Sequence, residues 1–255
     1  MLTAITRSVS PSLNRCELGY LPRQVIDVAK AARQHQAYEQ CLRDLGVQVI
    51  SLPAEPDLPD SMFVEDPAVV VDEFAIMTRM GAESRRAESQ SLAAALSRYR
   101  PIRWIEEPGT LEGGDVLRVG STLFVGLSRR TNAQGIAQLA LQLEPLGYSV
   151  KAVNVHGCLH LKSACCSLGD GRLLANRNWI DAAPLAEFRI IDVPAAEPRA
   201  ANVLAVDGTV LVASAFPLTT ELLESSGWKT RILDISELMK AEAGLTCSSI
   251  LFQSA

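Results

Sequence analysis

Four times along the chain a short apolar strand turns tightly into a second, passes through a helical stretch and returns as a third strand. Val69–Val71 turns at Asp72-Glu73 into Phe74–Thr78, followed by a predicted helix over 84–98 and strand Ile102–Ile105. Val116–Val119 turns at Gly120-Ser121 into Leu123–Val125, then a helix over 131–144 and strand Ser149–Val153. Cys165–Leu168 turns through Gly169-Asp170-Gly171 into Leu173–Ala175, then a shorter helix near 181–187 and strand Arg189–Val193. Val203–Val206 turns at Asp207-Gly208 into Val210–Ala213, then a helix over 218–226 and strand Thr230–Leu233. Asp-Gly and Gly-containing turns are hairpin chemistry, and a period of roughly 40–50 residues marks a radial or stacked repeat.

The remaining pieces make a fifth unit. Ser248–Phe252 supplies its first strand, Leu2–Thr6 its second, residues 22–45 its helix, ended by Gly46, and Val47–Leu52 its third. The two ends of the chain then close a ring by pairing with each other, which removes the exposed sheet edges of an open array. The prediction is an α/β fold, a closed five-bladed propeller of ββαβ repeats, with residues 1–255 as one catalytic domain. At 48% hydrophobic residues the chain has ample material for such a core. The polar stretch Ser8–Leu21, holding Pro11, Asn14 and Gly19, reads as a flap, with 14–22 as the candidate lid.

A formal charge of −5 without any basic run argues against nucleic acid and anionic membranes, and suits a small cationic substrate. No segment reaches membrane-spanning length, and Met1–Arg7 lacks the pattern of an export signal. Cys16, Cys41, Cys158, Cys165, Cys166 and Cys247 show no CxxC pair and no disulfide framework, which places the chain in a reducing cytoplasm. Monomer and homodimer both remain open.

The position just before each first strand carries the chemistry. It reads Glu65-Asp66, Glu112, His160, Ala201-Asn202 and Cys247 around the ring. The acidic approach Pro59-Asp60-Ser61-Met62-Phe63-Val64-Glu65-Asp66 puts three carboxylates at the mouth of a buried strand, which requires cations from the protein, a metal or a ligand. Taken singly, Cys247 reads as a small buried hydrophobe, His160 as a satisfied strand histidine and Glu112 as a cap on backbone N–H groups, with Asp115 the structural partner in that turn. Their arrival at equivalent positions of different repeats is what points to a catalytic constellation. A zinc site from His156, Cys158 and His160 on one strand face, with Cys165 and Cys166 nearby, has suitable ligand types, but adjacent cysteines on a strand face opposite ways; no metal is expected.

Six linked motifs, Phe63-Val64-Glu65-Asp66-Pro67, Gly81-Ala82-Glu83-Ser84-Arg85-Arg86, Thr110-Leu111-Glu112-Gly113-Gly114-Asp115, Arg130-Thr131-Asn132, His160-Leu161-Lys162-Ser163 and Leu245-Thr246-Cys247, together resemble the dimethylarginine dimethylaminohydrolases over essentially the whole chain. The resemblance implies a five-bladed α/β propeller of the guanidino-modifying superfamily, without cofactor, that hydrolyses methylated arginine to citrulline and a methylamine. It makes Cys247 the nucleophile, His160 the general acid and base, and Glu112 the carboxylate that orients it. Asp60, Glu65 and Asp66 form or support the guanidinium pocket. Arg85 and Arg130 clamp the substrate α-carboxylate, and the backbone carbonyls of Leu18 and Ala241 receive the α-amine; the family often has a larger aliphatic residue in place of Ala241. Deiminases of the superfamily resemble His-x-Asp where this chain has Lys162, a lysine expected to point away or pair with an acid. Arginine deiminase activity and a silent arginine-binding protein are the alternatives.

Overall fold

The computed structural model describes residues 1–254. Its strands are β1 (Leu2–Arg7), β2 (Gln48–Leu52), β3 (Ala68–Val70), β4 (Ala75–Met77), β5 (Ile102–Trp104), β6 (Val116–Val119), β7 (Thr122–Leu127), β8 (Ser149–Asn154), β9 (Cys165–Gly169), β10 (Arg172–Ala175), β11 (Arg189–Asp192), β12 (Leu204–Val206), β13 (Thr209–Ala213), β14 (Lys229–Leu233) and β15 (Ile250–Gln253). They form five three-stranded sheets among the described residues, β3-β4-β5, β6-β7-β8, β9-β10-β11, β12-β13-β14 and β15-β1-β2. In each, the first strand pairs antiparallel with the second and the second pairs parallel with the third. The fifth blade joins the ends of the chain, with Ala4 opposite Leu251. The fold is the expected five-bladed α/β propeller.

The hairpins follow from their turn residues. Asp207 and Gly208 both hold positive φ, 46° and 72°, the pairing that a two-residue turn between right-twisted strands needs. Middle strands are the most enclosed: every residue of β4 and β13 is buried, because each is flanked on both edges and covered on both faces.

The helices depart from expectation where local chemistry interrupts them. Helix α1 (Val28–Asp44) begins six residues later than the apolar spacing predicts. The Asn14 side chain accepts from Ile26 N–H at 2.7 Å and donates to Ile26 O at 2.9 Å, so the chain after Pro22 stays extended until Asp27 caps the helix through Lys30 N–H. The predicted helix over 84–98 is a 3₁₀ turn, Glu83–Arg85, and then α2 (Glu88–Leu96), broken where Arg85 turns inward. The predicted helix over 131–144 becomes α3 (Ala133–Leu143), capped by Asn132. The helix near 181–187 is absent as such. A single 3₁₀ turn, Ala183–Leu185, stands there, where Ala182 offers no side-chain cap and the stretch is too short to offset the cost of helix nucleation. A short α4 (Leu161–Ala164) occupies a stretch read as strand, and α5 (Pro217–Ser225) and α6 (Ser236–Met239) complete the set. No helix among the described residues is long and apolar enough to cross a membrane.

Candidate active site

The turns that precede the first strands meet at the ring's centre, and hydrogen bonds connect all five. Glu65 accepts from Lys162 Nζ at 2.6 Å through one oxygen and from the Thr246 hydroxyl at 2.7 Å through the other. Asn202 donates to Lys162 O and to Thr246 Oγ1. Asp66 accepts from Gly114 N–H at 3.1 Å, and Gly113 N–H donates to Asp66 O at 2.8 Å. The Gly113-Gly114 pair is what permits this approach: a Cβ on Gly113 would lie 2.0 Å from Glu65 O, and one on Gly114 2.6 Å from His160 Nδ1.

His160 caps the N-terminal side of α4 and is buried between two carboxylates. Its Nε2 lies 2.7 Å from Glu112 Oε2 and its Nδ1 3.8 Å from Asp66 Oδ1. Burial alone would lower its pKa, but Asp66, the Glu112 hydrogen bond and Asp115 outweigh burial and raise it to about 9. The resting ring is therefore an imidazolium. Glu112 is held well below the usual carboxylate range: burial opposes this, but the bond to His160 and the charges of His160, Arg85 and Arg130 prevail. Asp115 accepts from Ser128, Thr131 and Leu161 N–H, at 2.7, 2.7 and 2.8 Å, and so ties the His160 turn to the second blade. Burial pushes its pKa up to about 6.

Cys247 sits in a 3₁₀ turn, Thr246–Ser248, half-buried. Gly244 N–H points at its Sγ at 3.4 Å. Burial, followed by the charges of Glu65 and Asp66, pushes the thiol pKa up, and Gly244 N–H and Lys162 only partly oppose them. The resting group is a thiol, and a cation arriving beside the two carboxylates would offset the part of the shift that they cause.

Asp60, Arg85 and Arg130 also reach this centre. Arg85 is enclosed by acids: it donates to Asp66 Oδ2 at 2.8 Å and, through two nitrogens, to both oxygens of Glu88 at 3.0 and 2.9 Å. Burial pushes Glu88 up to about 7 despite this partner, and raises Asp60 and Glu65 as well. Arg130 Nη1 lies 3.2 Å from Glu112 Oε1. Both clamp candidates are thus buried and paired: Arg85 uses all three of its nitrogens on Asp66 and Glu88, and Arg130 uses Nη1 on Glu112.

Leu18 and Ala241 are brought together by neither sheet nor helix. Glu17 N–H donates to Asp60 Oδ2 at 3.0 Å, and the N–H groups of Gly19, Tyr20 and Leu21 all point at the Glu242 carboxylate. The flap is tied down at both ends. Tyr20, Leu21, Leu159, Ser163, Asn202 and Gly244 help line a cavity of about 300 Å³ beside it. That cavity includes Gly244 but none of Cys247, His160 and Glu112 in its lining.

His156, Cys158 and His160 do not share a strand face, since β8 ends at Asn154 and the chain bends through 157–160 before α4. Instead Asp66, Glu112 and His160 offer one donor atom each within 4.8 Å of one another. Their bonds to Gly114, Arg85, Arg130 and each other already occupy this set, and with His160 protonated it lacks a neutral imidazole ligand.

Sequence reasoning missed Glu88, Thr246 and Glu242. Glu88 follows Arg85 by three residues, a spacing that could have exposed the pair. Glu242 offers no such signal, because its partners lie more than 220 residues away.

A family model described as N,N dimethylarginine dimethylhydrolase, eukaryotic, matches residues 22–181. An N(G),N(G)-dimethylarginine dimethylaminohydrolase of Streptomyces coelicolor is 40% identical over 249 residues, 97% of this chain and 95% of that protein. Among solved structures, a Cys-to-Ser mutant of the Pseudomonas aeruginosa enzyme complexed with citrulline superposes with a TM-score of 0.93 at 35% identity, covering 98% of both chains. An adduct of a His-to-Gly variant of a dimethylarginine dimethylaminohydrolase with S-methyl-L-thiocitrulline matches equally well, at 36% identity over 98% of this chain and 99% of that one.

Proposed function

The chain belongs to the dimethylarginine dimethylaminohydrolase family, and from that premise we propose that it hydrolyses Nω-methylated arginines, asymmetric dimethylarginine and monomethylarginine, to citrulline and di- or monomethylamine. The observation that carries this reading is the meeting at one centre of a thiol, a histidine between two carboxylates and further carboxylates suited to a guanidinium.

In this reading Cys247 is the nucleophile, His160 the acid and base, and Glu112 its orienting carboxylate. Asp60, Glu65 and Asp66 bind or support the guanidinium, Arg85 and Arg130 take the α-carboxylate, and the carbonyls of Leu18 and Ala241 take the α-amine. A bound guanidinium adds positive charge near Cys247 to that of Lys162 and so favours the thiolate, the thiol proton passing to solvent. Sulfur attacks the central carbon and forms the C–S bond. The His160 imidazolium gives its proton to the departing amine as the C–N bond breaks, leaving a thiouronium. Water then gives one proton to His160 and attacks the carbon; the C–S bond breaks, the remaining hydroxyl proton passes to solvent, and citrulline leaves with the thiolate restored.

The pairing of β15 with β1 supports reading the whole chain as one catalytic domain, and six cysteines that are all free suit a reducing cytoplasmic setting. Incubation with asymmetric dimethylarginine, monomethylarginine and arginine, with citrulline as the readout, tests the proposal. Citrulline from the methylated substrates supports it; citrulline from arginine alone would make the protein a deiminase, and none from any would make it an arginine binder.

A further inference from the structure

Glu242 has a backbone φ of 61°, one of three non-glycine residues with positive φ among the described residues. Such a conformation is uncommon for a residue with a Cβ and persists where its surroundings over-determine it. Here the surroundings are three successive amides of the flap. Gly19 N–H donates to Oε2 at 2.9 Å, and Tyr20 and Leu21 N–H both donate to Oε1. Three backbone donors converging on one carboxylate make a charge-assisted clamp, stronger than neutral bonds of the same number.

Its position in the chain gives the clamp a purpose. Glu242 directly follows Ala241, and its first donor, Gly19, directly follows Leu18. The carboxylate therefore holds the Leu18–Gly19 peptide by its N–H, from the residue whose own peptide carries the Ala241 carbonyl. On the other side of Leu18, Glu17 N–H is held by Asp60, so the Leu18 carbonyl is fixed from both sides. Five residues beyond Glu242 the same segment delivers Cys247.

We propose that Glu242 is a positioning residue, which latches the flap by its three amides and thereby sets the Leu18 and Ala241 carbonyls to receive the substrate α-amine; this rests on the methylarginine reading. Glu242 does not touch the reacting atoms. Its removal weakens recognition of the amine end and leaves the thiol, histidine and carboxylates in place.

The test uses Glu242→Gly, which removes the carboxylate at a backbone conformation that glycine adopts freely, and Glu242→Gln, which keeps one accepting oxygen. Amide hydrogen exchange, read without substrate, is expected to quicken at Gly19, Tyr20 and Leu21 in Glu242→Gly and less in Glu242→Gln. KM for monomethylarginine is expected to rise about tenfold in Glu242→Gly, with kcat within about threefold, as loss of hydrogen bonds to a charged group predicts. The inhibition constant of the analogue without the α-amine, Nω-methyl-5-guanidinopentanoate, is expected to move less than about twofold. Unchanged exchange at the three amides overturns the latch, and equal weakening of both ligands overturns the link to the amine. If the unmodified protein does not turn over monomethylarginine, the amine recognition falls with the functional reading, while the exchange result still decides the latch.

Discussion

Lys162 Nζ lies 2.6 Å from Glu65 Oε1 at the centre of the propeller, an ion pair in which both side chains are largely buried. A lysine beside the proposed guanidinium pocket is thereby expected not to repel a cationic substrate, its charge spent on an acid rather than on the ligand. Burial works against the ammonium, but the Glu65 charge and hydrogen bond raise its pKa above the ordinary value, so it stays charged. Removing one partner leaves the other buried and uncompensated. Lys162→Ala is expected to destabilise the fold by about 3–5 kcal/mol in urea unfolding, with Glu65→Gln/Lys162→Met together costing less than the single lysine change. A loss below about 1 kcal/mol for Lys162→Ala would mean that the pair is relaxed by water.

Two of the six free cysteines, Cys166 and Cys247, lie near Glu65 and Lys162, and Cys247 is the one in the proposed catalytic role. Cys247→Ser is expected to lower citrulline formation at least about a thousandfold, since serine at this site has no equivalent activation. Cys165→Ser is expected to keep kcat and to lose about 1–3 kcal/mol of stability, because it puts a hydroxyl among apolar neighbours, and Cys166→Ser to keep kcat with a smaller loss, because its hydroxyl inherits the Lys162 carbonyl as acceptor. Mass spectrometry of a trapped substrate adduct locates the sulfur; an adduct on another cysteine would falsify the assignment.

The His160 pKa near 9 fixes the direction of a pH effect. In the unfolded chain the group titrates near its ordinary value of about 6.5, so the stability it contributes is fully present below that pH and is lost as pH rises through about 9. In the proposed reaction the same proton is donated to the leaving amine, so kcat/KM is expected to fall on the alkaline side of about 9. Glu112→Gln removes one of the charges that raise the pKa and is expected to move that limb to lower pH, as well as to slow turnover. An alkaline limb that stays in place in Glu112→Gln would separate it from His160.

Arg130 tests the carboxylate clamp more cleanly than Arg85: its loss removes one partner of Glu112, which keeps His160, whereas loss of Arg85 would strand Asp66 and Glu88 together. Arg130→Ala is expected to raise KM for monomethylarginine about tenfold or more and to leave the weak binding of agmatine, which has no α-carboxylate, nearly unchanged. Agmatine processed better than the amino acid by the unmodified protein would contradict the clamp.

Much of this centre was legible because the repeat itself is local. Asp207-Gly208 and Gly169-Asp170-Gly171 announce hairpins by their own backbone preferences, and once the period is counted the positions of Glu65, Glu112, His160 and Cys247 follow from it. What was not legible depends on contacts between distant parts of the chain. His160 reads as a strand histidine, yet residues 161–164 are helical, and Lys162 reaches Glu65 by the geometry of that turn. Residues 22–27 have helical apolar spacing, yet Asn14 holds Ile26 extended. Glu242 stands between two alanines in a segment without pattern, and only the folded ring brings the flap to it.

The preference between methylated and free arginine rests on which acceptors the centre leaves unoccupied. Where the deiminases resemble His-x-Asp, this chain has Lys162, so one carboxylate is missing and a second, Glu65, already accepts from Lys162 and Thr246 through its two oxygens. An unsubstituted guanidinium nitrogen has two N–H groups to satisfy, where a monomethylated one has one and a dimethylated one none, and an unmatched buried donor costs about 1–3 kcal/mol. Each buried methyl adds about 0.8 kcal/mol, or roughly fourfold. The expected outcome is a higher kcat/KM for mono- and asymmetrically dimethylated arginine than for arginine, measured by competition in one mixture, where the ratio does not depend on the fraction of folded enzyme. Arginine winning that competition would move the protein to the deiminase reading. Lys162→Met in the same mixture is expected to narrow the ratio, since it frees one oxygen of Glu65; an unchanged ratio would place the preference in other residues.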